Sequence, residues 1–236
     1  MTRSPRFVLG VLSLSLGLSQ TAGAQRAKAA ATIENESFDP NTGVLTFDLV
    51  NNSASALTAF SYELEYTNPD GDSIRGSIHG EDLAGAVPLT EGAEAIGLSA
   101  HTTEGMLPIP PKGRRTFTED LPVGSTLPTV AVHAALFADD TSHGKAEAVQ
   151  EFKRGRVKAV EHLGMLLAVL RKADKKAEPA DVFAVLDAEA AARPAIRDSI
   201  LEMRSGLQQM AGDVHENLRN IISITEVQRN GVARGH

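Results

Sequence analysis

The hydrophobic period of this chain changes once, close to residue 145, and this change limits the folds open to it. Before that point, apolar and polar residues alternate with a period of two, which is typical of half-buried β-strands. After it, apolar residues recur every three or four positions, as on one face of an α-helix. The sequence therefore predicts an α+β protein in which antiparallel strands come first and helices follow.

The first half contains several short apolar alternations separated by turn residues. The strands predicted in this way cover 44–50, 60–66, 74–78, 117–121 and 130–136. Between the second and third, residues 68–72 (NPDGD) predict a tight hairpin turn, because proline presets φ and glycine accepts a positive φ. Several short antiparallel strands with this punctuation indicate a β-sandwich.

Three segments of this half resemble small modules of exported bacterial proteins. A strand is followed by asparagines over 49–53, a strand leads into an acidic glycine turn over 60–71, and proline and glycine precede a phenylalanine over 109–117. In this order they resemble immunoglobulin- or fibronectin-like β-sandwich modules of the FxLYD type, across residues 31–140. The Phe-x-Leu-Tyr-Asp motif itself is absent, and the nearest sequence is LFAD at 136–139. The resemblance implies a non-catalytic scaffold or binding module and transfers no functional residue.

Two apolar stripes follow in the second half. The first runs from Val149 to Leu170 within a helix predicted over 145–173, and Arg156 interrupts it at a position that would otherwise be apolar. The second steps by four and three residues from Ile196 to Ile221, which is a heptad seam of about three repeats. We expect these two long helices to form an antiparallel, coiled-coil-like hairpin, with a helix over 182–192 in the connection.

The seam over 196–221 has two interpretations. It forms intramolecular core, as methionine-containing stripes at helical spacing usually do, or it pairs with another chain. In the second case the 196–221 helix would mediate self-association or bind a protein partner. The tail after Val227 is polar and contains glycine, so we expect it to be frayed.

Residues 1–24 have the pattern of a cleavable signal peptide. Arg3 and Arg6 precede an apolar run over 7–18, and Ala22-Gly23-Ala24 fits a cleavage site. We therefore expect export to the periplasm or the extracellular medium, followed by a β-sandwich domain over 25–141 and a helical region over 142–236. The chain has no cysteine, so its core is expected to hold by packing without disulfides.

Charge and composition limit the partners. Residues 25–140 carry 6 basic and 17 acidic side chains, whereas residues 141–236 carry 15 and 13. The acidic first part disfavours nucleic acid and anionic membranes, and a chain without tryptophan offers few surfaces for base stacking. Apolar stretches after the signal are too short to cross a bilayer. We expect no nucleic-acid partner and no membrane span in the mature protein.

Two short motifs suggest chemistry and both are incomplete. Residues 142–145 (SHGK) match S-x-x-K, in which a lysine activates a serine nucleophile, but the partner motifs Ser-Asp-Asn and Lys-Thr-Gly are missing. Ser142 is interpreted more simply as the N-cap of the following helix. His215 and Glu216 open the zinc motif H-E-x-x-H, but position 219 is Arg219, which excludes that site.

The long connection over 79–112 is rich in glycine, proline and glutamate, with a short strand predicted over 95–98. Long connections in compact domains are often functional. A metal site assembled from distant residues, such as His79, Glu81 and His101, stays open as an alternative, although clustered ligands are the usual sign.

The preferred hypothesis is an exported, non-catalytic scaffold, protein-binding or assembly protein, with no catalytic, cofactor-binding or metal-binding residue assigned and no cofactor. The alternative is a secreted or periplasmic hydrolase with a site near the sandwich–helix junction. That site would be built from Ser142, His143 and Lys145, in a pocket close to Asp139 and Asp140.

Overall fold

The computed structural model describes residues 29–84 and 107–235, which form antiparallel β-sheets followed by four α-helices. The predicted α+β class and the order of its elements are confirmed. The predicted signal peptide over 1–24, the strand over 95–98 and His101 lie outside the described residues. None of the described helices is long and apolar enough to cross a membrane.

Seven strands are described in the β region, which we define as residues 31–144. In chain order they are β1 (Ala31–Asp39), β2 (Val44–Asn51), β3 (Leu57–Thr67), β4 (Ser73–Asp82), β5 (Arg114–Asp120), β6 (Thr129–Phe137) and β7 (Ser142–Gly144). One sheet has the order β1-β2-β5 and the other β4-β3-β6-β7, with every pair antiparallel. β7 belongs to the second sheet, so residues 142–144, which the sequence placed with the helices, are part of the β region.

Strands of both sheets contribute to one hydrophobic core. Alternate residues of β2 and β3 supply much of it, as the period of two predicts: Leu45, Phe47, Leu49, Phe60, Tyr62 and Leu64. The four-stranded sheet curls into a half-barrel. Register shifts where β3 pairs with β4 and with β6 accompany this curl, since an extra residue in one strand bends it and increases its twist. The finer immunoglobulin-like arrangement stays a prediction.

The predicted hairpin turn joins β3 to β4. Gly71 has φ +89°, and the side chain of Asn68 accepts a hydrogen bond from the Asp72 backbone N–H at 2.8 Å. β4 then continues to Asp82, four residues past its predicted end at 78. The first part of the predicted connection over 79–112 is therefore strand, and only its remainder is a connection.

Asn51 fixes the point where the described chain returns to the β region. Its side chain is fully buried and donates to the carbonyls of Ser55, Ile109 and Pro110 at 2.8–3.1 Å. Its side-chain oxygen accepts from the backbone N–H of Ser53 at 2.9 Å. One buried amide thus joins the loop after β2 to the returning segment at Ile109 and Pro110, with its own polar atoms satisfied.

Four α-helices form the helical region, which we define as residues 146–234. They are α1 (Ala146–Ala173), α2 (Pro179–Ala192), α3 (Arg197–Gln209) and α4 (Val214–Arg234), with a 3-10 turn over Pro194–Ile196 before α3. α1 agrees with its predicted limits to within one residue. Its first turns lie against the four-stranded sheet, where Val149 and Phe152 pack on Ala59, Ala134 and Leu136.

The prediction of one long helix over 196–221 is wrong. α3 ends at Gln209, Gly212 has φ +99°, and Asp213 caps α4 by accepting from the Glu216 backbone N–H at 2.9 Å. The heptad spacing persists across this break because both helices turn apolar residues onto the same core. The helical region is therefore not the predicted two-helix hairpin.

The seam residues are core of the chain itself. Those at most 2% exposed are Ile196, Ile200, Leu207, Leu218 and Ile221. They do not offer an exposed surface for self-association. The predicted fraying after Val227 is also wrong, because α4 continues to Arg234.

The break between α3 and α4 depends on a glycine in the left-handed region. Gly212→Ala should lower the free energy of unfolding by about 1–2 kcal/mol, because a Cβ disfavours positive φ. Gly155→Ala is the matched control: Gly155 lies inside α1 with open space around it, and alanine there should stabilise by about 0.5–1 kcal/mol. Urea denaturation measures both, and equal stability of Gly212→Ala and the parent would contradict the assigned break.

Candidate functional site

A cavity of about 240 Å³ opens between the edge strands β4 and β5, and we call it the edge cavity. It lies at one side of the two sheets, where β4 and β5 are the outermost of the described strands. Residues two apart on a strand share a face, and this places side chains from three strands around one space. The lining residues are Phe60, Tyr62, His79, Gly80, Glu81, Phe117 and Glu119.

Aromatic rings form the inner wall of the edge cavity. Tyr62 is 4% exposed and meets Phe47 edge-on, with ring centroids 4.9 Å apart. Phe117 stacks on Phe47 at 5.6 Å, and the His79 ring lies parallel to the Tyr62 ring at 5.5 Å. Aromatic pairs in such geometries contribute about 0.5–1.5 kcal/mol beyond their buried area, so these contacts favour the observed arrangement of the rings.

The Tyr62 hydroxyl donates a short hydrogen bond to Glu119 Oε1, across the space between β3 and β5. Burial, together with the Glu119 carboxylate, raises the pKa of Tyr62 far above its ordinary value of 10.0. The phenol is therefore a permanent donor at physiological pH. His79 Nδ1 lies 3.7 Å from the same carboxylate oxygen.

Glu81 and Arg115 form the second polar pair at the cavity. Arg115 Nη1 lies 3.5 Å from Glu81 Oε2, and Arg115 Nη2 donates to the Leu107 carbonyl. Within the described part of the chain, Glu81 Oε2 and Arg115 Nη1 are buried and make no hydrogen bond. Burial lowers the pKa of Arg115, and the nearby Glu81 carboxylate opposes that shift. The cavity is thus bordered by two carboxylates and one guanidinium.

The alternative metal site is tested only in part. His79 and Glu81 do line one cavity, as their spacing on β4 allows. Over residues 29–84 and 107–235, however, no group of three His, Asp or Glu side chains could hold a metal ion. The third residue of that hypothesis, His101, lies outside this part of the chain.

The residues of S-x-x-K are not brought together. Ser142 is exposed on β7, and Lys145, in extended backbone, precedes α1. Lys145 Nζ donates to Glu63 Oε2 at 3.1 Å, and within the described residues no hydrogen bond joins it to Ser142. The predicted N-cap role of Ser142 is wrong as well, because Lys145 occupies the cap position of α1 and no side chain caps it.

The loop before β7 also serves structure. Asp139 Oδ1 accepts from the Thr141 hydroxyl at 2.6 Å, which lowers the pKa of Asp139. Asp140 has φ +62°, the conformation of a tight turn. The Asp139 carboxylate, which the hydrolase hypothesis placed near a pocket, is therefore engaged in the β6–β7 turn.

A cluster of three side chains ties the start of α1 to the sheet. Lys145 Nζ donates to Glu63 Oε2 at 3.1 Å, and His133 Nδ1 lies 3.3 Å from the same oxygen. The Lys145 bond, and after it the His133 bond, lower the pKa of Glu63 below its ordinary value of 4.5. Glu63 lies on β3, His133 on β6, and Lys145 directly precedes α1. The cluster therefore connects the start of α1 to the four-stranded sheet.

Arg156 forms the deepest contact between the two regions. Its side chain is buried, Nε lies 2.9 Å from Asp82 Oδ2, and Nη2 donates to Asp82 Oδ1 at 2.9 Å. Nη2 also donates to Thr58 Oγ1 at 3.0 Å, and Nη1 donates to the Gly235 carbonyl. The residue that interrupts the apolar stripe of α1 thus connects β3, β4 and the end of α4. An apolar cavity of about 320 Å³ lies beside it, between α1 and Val232.

Sequence reasoning missed Tyr62, Glu119 and Arg115 as site residues. The alternation over 60–66 correctly turned Tyr62 inward, and Arg115 and Glu119 share a face of β5 with Phe117. Charged residues on a face that also carries a core aromatic residue are the signal that could have been used.

Removing the Arg156 guanidinium should destabilise the whole protein. Arg156→Met leaves the partly buried Asp82 carboxylate without its ionic partner, and we expect a loss of about 3 kcal/mol. Arg154→Met, an exposed position one half-turn away on α1, should change stability by less than about 0.5 kcal/mol. Adding Asp82→Leu to Arg156→Met should recover part of the loss. Denaturant melts of the four proteins decide this, and equal stability of the two single variants would refute the role of Arg156.

The Glu63 contact gives a pH dependence of defined sign. The folded protein holds the pKa of Glu63 below 4.5. The ionised Glu63 carboxylate therefore stabilises the fold above that pH, and this stabilisation is lost as pH falls through the lowered pKa. In Glu63→Gln, the fall in stability between neutral pH and pH 3 should be smaller than in the parent. Glu65→Gln, an exposed residue on the same strand, serves as control. Equal pH slopes for Glu63→Gln and the parent would contradict the assignment.

Comparisons with known proteins add no family to this geometry. A scan against protein-family models gives no match, and a search of the curated proteins gives none either. The functional argument therefore depends on the residues described above.

Proposed function

We propose that this protein is an exported, non-catalytic binding protein whose β region is an immunoglobulin-like module with its ligand site in the edge cavity. The cavity carries the proposal, because it combines a buried aromatic wall with polar groups already held in place. Ligand sites are commonly concave surfaces with a few fixed polar groups. The signal-like pattern of residues 1–24 supports export.

The state of the polar groups favours binding over proton transfer. A general base works best with a pKa near the operating pH, and the raised pKa of Tyr62 keeps its hydroxyl protonated. Tyr62 in turn orients the Glu119 carboxylate, which is 20% exposed and reaches the cavity. Groups that are fixed before binding lower the entropic cost of association.

The other hypotheses have less support from the described residues. Assembly through 196–221 would need apolar side chains that lie in the core of the helical region. A hydrolase of this type would need the Lys145 amine to activate Ser142, whereas Lys145 Nζ donates to Glu63 Oε2. A binding function needs neither.

The test is a ligand screen by saturation-transfer NMR on residues 25–236, with small amines, carboxylates, sugars and neutral amides as four separate classes. His79→Trp narrows the edge cavity and should abolish the signal of any ligand that binds there. Ile78→Trp is the matched control, because Ile78 is 53% exposed on the opposite face of β4. Bound ligands should also raise the melting temperature of the parent, since a ligand that binds only the folded state stabilises it.

The proposal fails if no class gives a signal that His79→Trp removes. It also fails if His79→Trp and Ile78→Trp reduce binding equally, because the ligand would then lie elsewhere.

A further inference from the structure

We infer that the edge cavity binds an organic cation, namely a primary ammonium or guanidinium group at the end of a flexible chain. This inference depends on the proposed function, since it names the ligand of the same site. Three properties of the cavity support it: the charge of its walls, its aromatic surface and its size.

The charge of the walls favours a cation. Glu81 and Glu119 border the cavity from its two edge strands, β4 and β5. Arg115, which contacts Glu81 without being one of the lining residues, turns one arm to the Leu107 carbonyl and the other toward Glu81. Glu119 Oε1 accepts a hydrogen bond from the Tyr62 hydroxyl. A carboxylate can accept several hydrogen bonds through its two oxygens, so Glu119 can also accept one from a ligand.

The wider charge distribution acts in the same direction. Residues 25–140 carry 17 acidic against 6 basic side chains. A surface with this excess attracts cations over distances of about a Debye length, roughly 10 Å at 0.1 M salt, and repels anions. The electrostatic field of this surface would raise the association rate of a cation and lower that of a carboxylate or phosphate.

The aromatic wall gives a second attraction specific to organic cations. The partly exposed Phe117 ring lies beside the same space as the two carboxylates, whereas the faces of the Tyr62 ring are covered by His79 and Phe60. A cation near a ring face is stabilised by about 0.5–2 kcal/mol, the more so when it loses water. The raised pKa of Tyr62 keeps the ring neutral, so its hydroxyl oxygen can also accept a hydrogen bond from the ligand.

The size of the cavity limits the ligand to one group. At about 240 Å³ it is smaller than the 300–1,000 Å³ typical of sites that enclose a whole small molecule. An ammonium or guanidinium head with a few methylenes fits this description, with the rest of its carrier outside. The carrier is either a free polyamine or a lysine or arginine side chain on another protein.

Isothermal titration with defined probes tests the inference on residues 25–236. The probes are butylamine, spermidine, N-acetyl-lysine amide and N-acetyl-arginine amide, with N-acetyl-glutamate and N-acetyl-glutamine amides as anionic and neutral controls. We expect the cationic probes to bind and the two controls not to bind. Tighter binding of spermidine than of the amino-acid amides would assign the site to free polyamines, and the reverse order to side chains of a partner.

Variants connect the binding to the cavity. Glu119→Gln keeps the shape of the side chain and removes its charge, so it should weaken cation binding at least about tenfold, the range of a hydrogen bond to a charged group. Glu65→Gln removes the same charge from an exposed position on β3 and should leave binding within about twofold. Circular dichroism of each variant checks that it is folded.

The outcomes separate this inference from the proposed function. Binding of the glutamine or glutamate probe in preference to the amines would overturn the cation inference and leave a ligand site in place. Equal binding of amines to the parent and Glu119→Gln would also overturn it. Absence of binding by every probe, together with a negative ligand screen, would remove both proposals.

Discussion

The burial of one guanidinium group joins the two halves of this protein. Arg156 is 1% exposed, and removing a charge from water costs several kcal/mol unless its N–H groups are bonded. Its partner Asp82 lies on β4, Thr58 lies on β3, and Gly235 directly follows α4. The cost is therefore offset only when both regions are folded and docked. The docking of α1 therefore depends on a β region in which β3 and β4 are formed. The chain has no cysteine, so no disulfide contributes to this coupling.

The same contact reaches the edge cavity through β4. Asp82 is the last residue of that strand, and His79 and Glu81 precede it on the cavity face. An edge strand has a neighbour on only one side, so its far end is prone to move unless something covers it. The hairpin turn at 68–72 fixes one end of β4, and Arg156 fixes the other. The lining residues of the edge cavity all lie on β3, β4 and β5. The helical region thus positions one wall of the cavity without lining it.

The local parts of this structure could be predicted from the sequence, and the non-local parts could not. Hydrophobic periods identified β2 to β6 and α1, because burial on one face leaves a repeating pattern, but they did not identify β1 or β7. The heptad over 196–221 concealed the break at Gly212, because α3 and α4 serve one core in a common register. Tyr62 and Glu119 meet although 57 residues separate them. That pairing depends on how strands of the two sheets come together around one core, which no local pattern records.

The buried amide of Asn51 has a consequence for how this chain can be made. Asn51-Asn52-Ser53 fits the acceptor sequence for N-linked glycosylation, and a glycan would be attached to the same nitrogen that donates to three carbonyls. In a eukaryotic secretory pathway, sugar transfer would compete with the formation of β2 and its neighbours. Chains that are modified first would be unable to close this part of the β region. A host without that modification, or Ser53→Ala to remove the acceptor sequence, avoids this competition.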